Sequence, residues 1–209
     1  MVEIKLNLRE DDYRWNEAYK SLRTNIEFSG VENKVIAVTS CTPSEGKSSV
    51  SVSLAKSLAE AGKSVLFVDA DLRKYVLVGR HRVTQDVKGL SHFLSGQAEL
   101  NEVLCKTEES GLYMIFAGPV PPNPAELLGS KRFASFISGV RKIYDYVIID
   151  TPPLGSVIDS AIVSQNCDAA ILVIASGMIS YKFARTVKEQ LEKADCKILG
   201  VVLNKVDMK

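Results

Sequence analysis

The sequence predicts an α/β fold, a mainly parallel β-sheet with helices on both faces, and three observations carry that expectation. From Val35 onward, short β-branched runs alternate with amphipathic helical stretches, the rhythm of strands joined by helical crossovers. The runs are apolar throughout instead of alternating, as expected of strands covered on both faces. A chain of 209 residues that is 46% hydrophobic can also bury one sizeable core without disulfides or a metal.

The elements follow in order. Residues 1–34 read as an N-terminal arm, and residues 35–209 as one compact unit. In the arm, Asn16 to Phe28 predicts a helix, with Tyr19, Leu22 and Ile26 at three- and four-residue spacing. It precedes the first strand and so reads as an appendage. The predicted strands are Val35–Thr39, Ser64–Val68, Leu112–Phe116, Val147–Ile149, Ala170–Ile174 and Ile198–Leu203. Between the first two lies a helix from Ser49 to Ala61. Ser130 is placed to cap a helix carrying Phe133, Phe136, Ile137 and Val140 on one face, and Ser180 another carrying Phe183, Val187, Leu191 and Ala194. Arg73 to Lys88 is basic, with few structural signals, and reads as a mobile loop. Gly118 to Pro124 is rich in proline and leaves the C-terminal end of a strand, either as a rim element or as a stiff connection.

Composition narrows the partners. Lys plus Arg number 26 against 25 Asp plus Glu, so the net charge of +1 gives no general attraction to nucleic acid or an anionic membrane. The longest apolar run, Ala169 to Ala175, falls far short of the roughly 18 residues of a membrane span. Met1 to Asp12 lacks the apolar centre of a signal peptide, which predicts a cytoplasmic protein. Cys41, Cys105, Cys167 and Cys196 are too scattered for a zinc site and read as reduced core thiols.

The chemistry sits at the ends of the predicted strands. Ser40 to Ser49 joins the first strand to a helix through Gly46-Lys47-Ser48, the arrangement that wraps a phosphate chain in backbone N–H groups and aims a helix N-terminus at it. Lys47 is then placed for the β- and γ-phosphates, and Ser48 for Mg²⁺. Cys41 occupies the position of the first glycine of G-x-x-x-x-G-K-[ST]. Beside backbone N–H groups and a lysine it is a candidate for a lowered thiol pKa, the alternative being a small residue accommodated in a tight loop. The second strand delivers Asp69 and Asp71, and the fourth delivers Asp150. Three carboxylates beside a phosphate need a divalent cation to offset their repulsion. Lys47, Asp69 and Asp71 are expected to be exposed in a polar crevice.

With these residues in view, the sequence resembles the bacterial tyrosine kinases of capsular and exopolysaccharide synthesis. Thr42-Pro-Ser-Glu-Gly-Lys-Ser48, Val68-Asp-Ala-Asp-Leu-Arg73 and Ile149-Asp-Thr-Pro-Pro153 are similar to that family's Walker A, A′ and B motifs. Further matches are Glu17 to Asn25, Gly118 to Leu128 and Gly200 to Lys205. The resemblance implies a P-loop NTPase fold, ATP and Mg²⁺ as cofactors, and transfer of the γ-phosphoryl group to tyrosine hydroxyls of protein substrates. It implies catalytic roles for Lys47, Asp69, Asp71 and Asp150, and a nucleotide site formed by Thr42, Pro43, Ser44, Glu45, Gly46, Lys47, Ser48, Ser49 and Asn204. Its metal set is Ser48, Asp69, Asp71 and Asp150. It also implies activation by the cytoplasmic segment of a membrane protein that recruits the chain to the membrane's inner face. A homo-oligomeric ring would form through Glu17, Lys20 and Arg23.

Two positions depart from the family's pattern. The family's kinases usually end in a tyrosine-rich tail, and no tyrosine follows Tyr181 here. Lys20 stands where the assembly motif prefers Arg, which keeps the charge and loses the bidentate fork. The alternative function is a partitioning or positioning ATPase, whose phosphate loop carries an extra lysine at the position of Thr42.

Overall fold

The structure, a computed structural model, describes residues 2–7, 13–74, 77–80 and 87–206. Its eight strands are β1 (Val2–Ile4), β2 (Val35–Ser40), β3 (Val65–Asp69), β4 (Cys105–Thr107), β5 (Leu112–Ile115), β6 (Tyr146–Asp150), β7 (Ala169–Ala175) and β8 (Ile198–Asn204). They form one sheet in the order β1-β4-β5-β3-β6-β2-β7-β8. All pairs are parallel except β4 with β5. The long helices are α1 (Tyr13–Phe28), α2 (Lys47–Glu60), α7 (Lys131–Ile143) and α9 (Tyr181–Lys193). Short ones are α3 (Leu77–Arg80), α4 (Leu90–Leu94), α5 (Leu100–Val103), α6 (Pro124–Leu128) and α8 (Asp159–Ser164).

Alternate residues of the buried strands serve opposite faces. Ile36, Val38, Phe67 and Ile148 pack with Leu54 and Leu58 of α2 and Ile26 of α1. Val35, Leu66, Val68, Val147 and Ile149 pack with Phe133, Phe136, Ile137 and Val140 of α7. Beyond β2, Ala170 and Leu172 meet Val187 and Leu191 of α9. Each fully buried side chain of this size contributes about 1.5–3 kcal/mol of transfer free energy, so the parallel strands and their helices stabilise one another. Ser130 and Ser180 cap α7 and α9 as expected, accepting from Phe133 N at 3.2 Å and Phe183 N at 3.3 Å.

Four expectations need correction. The leading helix is no appendage, because α1 lies along α2, buries Tyr19 and Ile26, and Arg23 Nη1 donates to Ser57 O at 2.7 Å. Helix α2 begins at Lys47, two residues before the expected Ser49, since Gly46 in the left-handed region starts it without a side-chain cap. Strand β8 is an edge strand whose Val201 and Leu203 are 56% and 57% exposed, since α9 covers β7 and stops there. Within the supposed mobile loop, Leu77 of α3 and Val87 are buried in the core, and the rest of it lies outside the described residues or borders them.

The proline-rich stretch is held at its first residue, Gly118, and by the two residues before it. Leu90 N and Ser91 N donate to Phe116 O and Ala117 O at 2.7 and 2.9 Å. Gly89 passes so close to Gly118 that a Cβ on it would lie 2.3 Å from Gly118 N. No larger residue fits that crossing, which favours the stiff connection.

Candidate functional site

The C-terminal ends of β2, β3 and β6 bring three separated motifs to one edge of the sheet. Pairing of β3 with β6 sets Asp69 directly beside Asp150, and β6 with β2 sets Asp150 beside Val38, just before the phosphate loop. Together with α2 they line a crevice of about 440 Å³.

The loop from Ser40 to Gly46 owes its shape to buried polar contacts. Ser44 and Gly46 have φ of +68° and +92°, turning successive N–H groups toward one side. A Cβ on Gly46 would lie 2.1 Å from Asn204 Nδ2, so only glycine fits. Glu45, expected among the nucleotide contacts, points its carboxylate away from the crevice and is fully buried. Its Oε2 accepts from Thr42 N at 2.7 Å and its Oε1 from Ala175 N at 3.2 Å. Asn204 Nδ2 donates to Glu45 O at 2.9 Å, and Lys205 Nζ to Ser44 O at 2.7 Å. The ends of β7 and β8 thereby hold the loop from behind. Pro43, Ser44, Gly46, Lys47 and Ser48 line the crevice, whereas Thr42 and Ser49 are not among its lining residues.

The ionisable groups are buried, not exposed as the sequence suggested. Lys47 is 8% exposed, Asp69 2%, Asp71 8% and Asp150 1%. Lys47 Nζ lies 3.2 Å from Asp150 Oδ2, 3.5 Å from Asp71 Oδ2 and 3.2 Å from Ser48 Oγ. Burial works against the charge of Lys47, but Asp150, Asp71 and Asp69 outweigh it and hold the ammonium above its ordinary value. Burial, and then the neighbouring Asp150, hold Asp69 well above the usual carboxylate range. Burial also raises Asp71, against the pull of Lys47.

Three carboxylates share one lysine, and Asp71 Oδ1 is buried with no hydrogen-bond partner. That orphaned oxygen and the uncompensated charge suit a divalent cation. Among the described residues no group of His, Cys, Asp and Glu forms a metal cage, as expected where a small hard cation takes one or two carboxylates and completes its shell with phosphate oxygens and water.

Cys41 behaves as the bland alternative. It is fully buried, and burial, reinforced by Glu45, pushes its thiol up to about 11, so the lowered-pKa reading is overturned. Sequence reasoning missed Ser51, whose Oγ donates to Asp150 Oδ1 at 3.1 Å and to Lys47 O at 2.9 Å. Its signal was available, one helical turn after Lys47. A larger cavity, about 500 Å³ between α8 and α9, contains no carboxylate and none of the expected residues.

Known proteins share this arrangement. Residues 33–198 match the family described as AAA domain. The tyrosine-protein kinase CpsD of Streptococcus agalactiae serotype III (strain NEM316) is 46% identical over 191 residues, covering 91% of this chain and 82% of that protein. The kinase domain of Escherichia coli tyrosine kinase ETK superposes with a TM-score of 0.87 at 37% identity, covering 91% of this chain and 75% of that one. The septum site-determining protein MinD of Pyrococcus horikoshii OT3, complexed with Mg-ADP, gives 0.71 at 25% identity, covering 83% and 72%. Similarity to CpsD over 91% of this chain together with the ETK kinase-domain fold settles the family: the chain belongs to the bacterial tyrosine-protein kinases.

Proposed function

We propose that the crevice binds Mg–ATP and that its side chains direct phosphoryl transfer to protein tyrosines in the control of capsular or exopolysaccharide synthesis. The observation that carries this reading is the convergence of Lys47, Asp69, Asp71 and Asp150 on one sheet edge around an unpartnered Asp71 Oδ1. Backbone N–H groups from Ser44 to Ser48 would bind the phosphates, Thr42 N being already taken by Glu45, and Lys47 would exchange its carboxylate contacts for phosphate oxygens. Ser48, Asp150, Asp69 and Asp71 are the residues that would hold Mg²⁺. When bound, Mg–ATP supplies the transferable γ-phosphoryl group and charge neutralisation. Asp69 and Asp71 would orient the incoming tyrosine hydroxyl and one of them would take its proton as the γ-phosphoryl group passes to the tyrosine oxygen and its bond to the departing ADP breaks. Asn204, expected among the nucleotide contacts, does not line the crevice; it donates to Glu45 O and so acts through the shape of the loop. Such a division suffices because phosphoryl transfer is mostly positioning and electrostatics.

The partitioning-type ATPase reading is disfavoured by Thr42 in place of its extra lysine and by the lower likeness to MinD. The described helices include none long and apolar enough to cross a membrane, and recruitment to the membrane's inner face is assigned to the cytoplasmic segment of a membrane-bound activator. Self-association through α1 uses Glu17 and Lys20, an exposed pair at 2.8 Å, with Arg23 held against Ser57. Incubation with γ-labelled ATP, Mg²⁺ and a tyrosine-rich peptide tests the core of the proposal. Label on tyrosine supports it, and release of phosphate to water alone returns the ATPase alternative.

A further inference from the structure

Asp71 must keep its place when Lys47 leaves it for a phosphate. Its other ties are slight. Asp71 N donates to Asp69 Oδ1 at 3.2 Å, and Lys74 N closes a turn on Asp71 O at 3.1 Å. Ala70 and Leu72, on either side of Asp71, are fully buried and Ala70 N donates to Asp150 O at 2.8 Å, which ties the start of the turn to β6 and leaves its far side, at Arg73, to be held by side chains.

The missing constraint is Arg73. Its guanidinium closes on Asp159, the first residue of α8, with Nε 2.8 Å from Oδ2 and Nη2 2.9 Å from Oδ1. Both carboxylate oxygens are engaged, and the Asp159 side chain is wholly buried while that of Arg73 is 40% exposed. Asp159 is itself mounted on a rigid post. The next residue, Ser160, donates through Oγ to Pro152 O, which also accepts from Thr39 Oγ1 at 2.9 Å. Thr151 Oγ1 in turn donates to Val38 O at 2.9 Å. The start of α8 is thus welded to β2 and to the segment that follows Asp150.

We propose that Arg73 and Asp159 are positioning residues that lock the turn bearing Asp71 to the frame bearing Asp150, so that the two carboxylates hold a fixed separation while Lys47 moves. A planar fork on a carboxylate fixes direction as well as distance, which a lysine does not. This inference rests on the phosphoryl-transfer reading above and deepens it.

The variants are Arg73→Lys, Arg73→Gln and the double Arg73→Gln/Asp159→Asn, which removes both charges and avoids a stranded buried carboxylate. Arg73→Gln is expected to lower kcat for peptide phosphorylation about 10–100-fold, the scale of a misplaced catalytic group, with KM for ATP changed less than about threefold. Arg73→Lys falls between it and the wild type. The double variant regains the wild-type melting temperature without regaining kcat. Calorimetric titration of ADP at increasing Mg²⁺, without peptide, provides a second readout: Mg²⁺ tightens ADP binding less in Arg73→Gln than in wild type. Recovery of kcat along with melting in the double variant, or an unchanged Mg²⁺ effect on ADP affinity in Arg73→Gln, overturns the proposal. A wild-type protein that shows the Mg²⁺ effect and labels no peptide instead overturns the kinase reading, and the ADP titration then decides the clamp by itself.

Discussion

The ammonium of Lys47 lies 3.2 Å from Asp150 Oδ2, so the phosphate-loop lysine is engaged by carboxylates from two other strands instead of standing free in the crevice. The protein thereby holds a cation among carboxylates at the site proposed for Mg–ATP. Lys47 contributes to folding as well as to chemistry.

Replacing Lys47 with Met should therefore abolish phosphoryl transfer and also destabilise the protein. It leaves Asp69, Asp71 and Asp150 buried without their counter-ion, and breaking a buried pair costs about 3–5 kcal/mol. Thermal melting in the absence of nucleotide would show the loss, and an unchanged midpoint would contradict the internal ion pairing.

Asp69→Asn should act in the opposite sense on stability. In the folded chain Asp69 is held well above its ordinary value of 3.8, by burial first and Asp150 second. Ionised Asp69 then opposes folding: the penalty is absent below the ordinary value, and it grows as pH rises until the folded group ionises. The Asn variant should melt higher than wild type at neutral pH, on a scale of roughly 2–4 °C per kcal/mol, with the gain vanishing toward pH 4. It should transfer no phosphate. A gain independent of pH would show that ionisation is not its source.

Glu45→Ala removes the acceptor for Thr42 N–H and Ala175 N–H, and a buried donor left unpaired costs about 1–3 kcal/mol. We expect weaker nucleotide binding by at least about tenfold, the effect of roughly 1.4 kcal/mol, with Glu45→Gln milder because it keeps one acceptor oxygen. Fluorescent-nucleotide titration checks this, and wild-type affinity in the Ala variant would mean that the loop holds its shape without the buried carboxylate.

Alkylation of Cys41 should be slow with or without nucleotide near pH 8, since its thiolate forms only around pH 11 and the side chain is fully buried. Mass mapping after iodoacetamide treatment would show modification only where unfolding exposes the site. Rapid labelling of the folded protein would refute the assignment.

Residues 20 and 23 should separate experimentally. Lys20→Ala loses a solvent-exposed pair with Glu17, which contributes little to stability, and should leave melting nearly unchanged while weakening any self-association through α1. Arg23→Ala also loses the bond to Ser57 O and should lower the melting temperature. Light scattering at low salt, read beside melting curves, distinguishes the two; equal effects of both variants on melting would remove the distinction.

The parts of this molecule that were legible in the sequence are those governed by short-range chemistry. Ser130 and Ser180 announced their helices because a cap bonds three residues ahead, and the apolar runs announced their strands because burial on both faces leaves no polar alternation. That Asp69 and Asp150 share one edge of the sheet followed from motifs at strand ends; the strand order that sets them side by side did not. Burial of Lys47 and its acidic neighbours did not, since charged residues at a strand end ordinarily face water and only the converging partners make burial tolerable. Glu45 misled for the same reason: its neighbours in sequence line the crevice, while its partner Ala175 lies 130 positions away. The short strands β1 and β4 were invisible because three residues carry too little pattern.

The central position of β2 has a kinetic consequence. Its partners β6 and β7 both emerge more than a hundred residues later in the chain, so during synthesis β2 waits with both of its edges open. Closing such distant pairings makes folding slow, and the waiting strand exposes Val35, Ile36 and Val38 to wrong partners in the meantime. The edge bearing Asp69 and Asp150 should therefore form only after β7 has been made, and yield in cells should depend on chaperones that shield β2 until then.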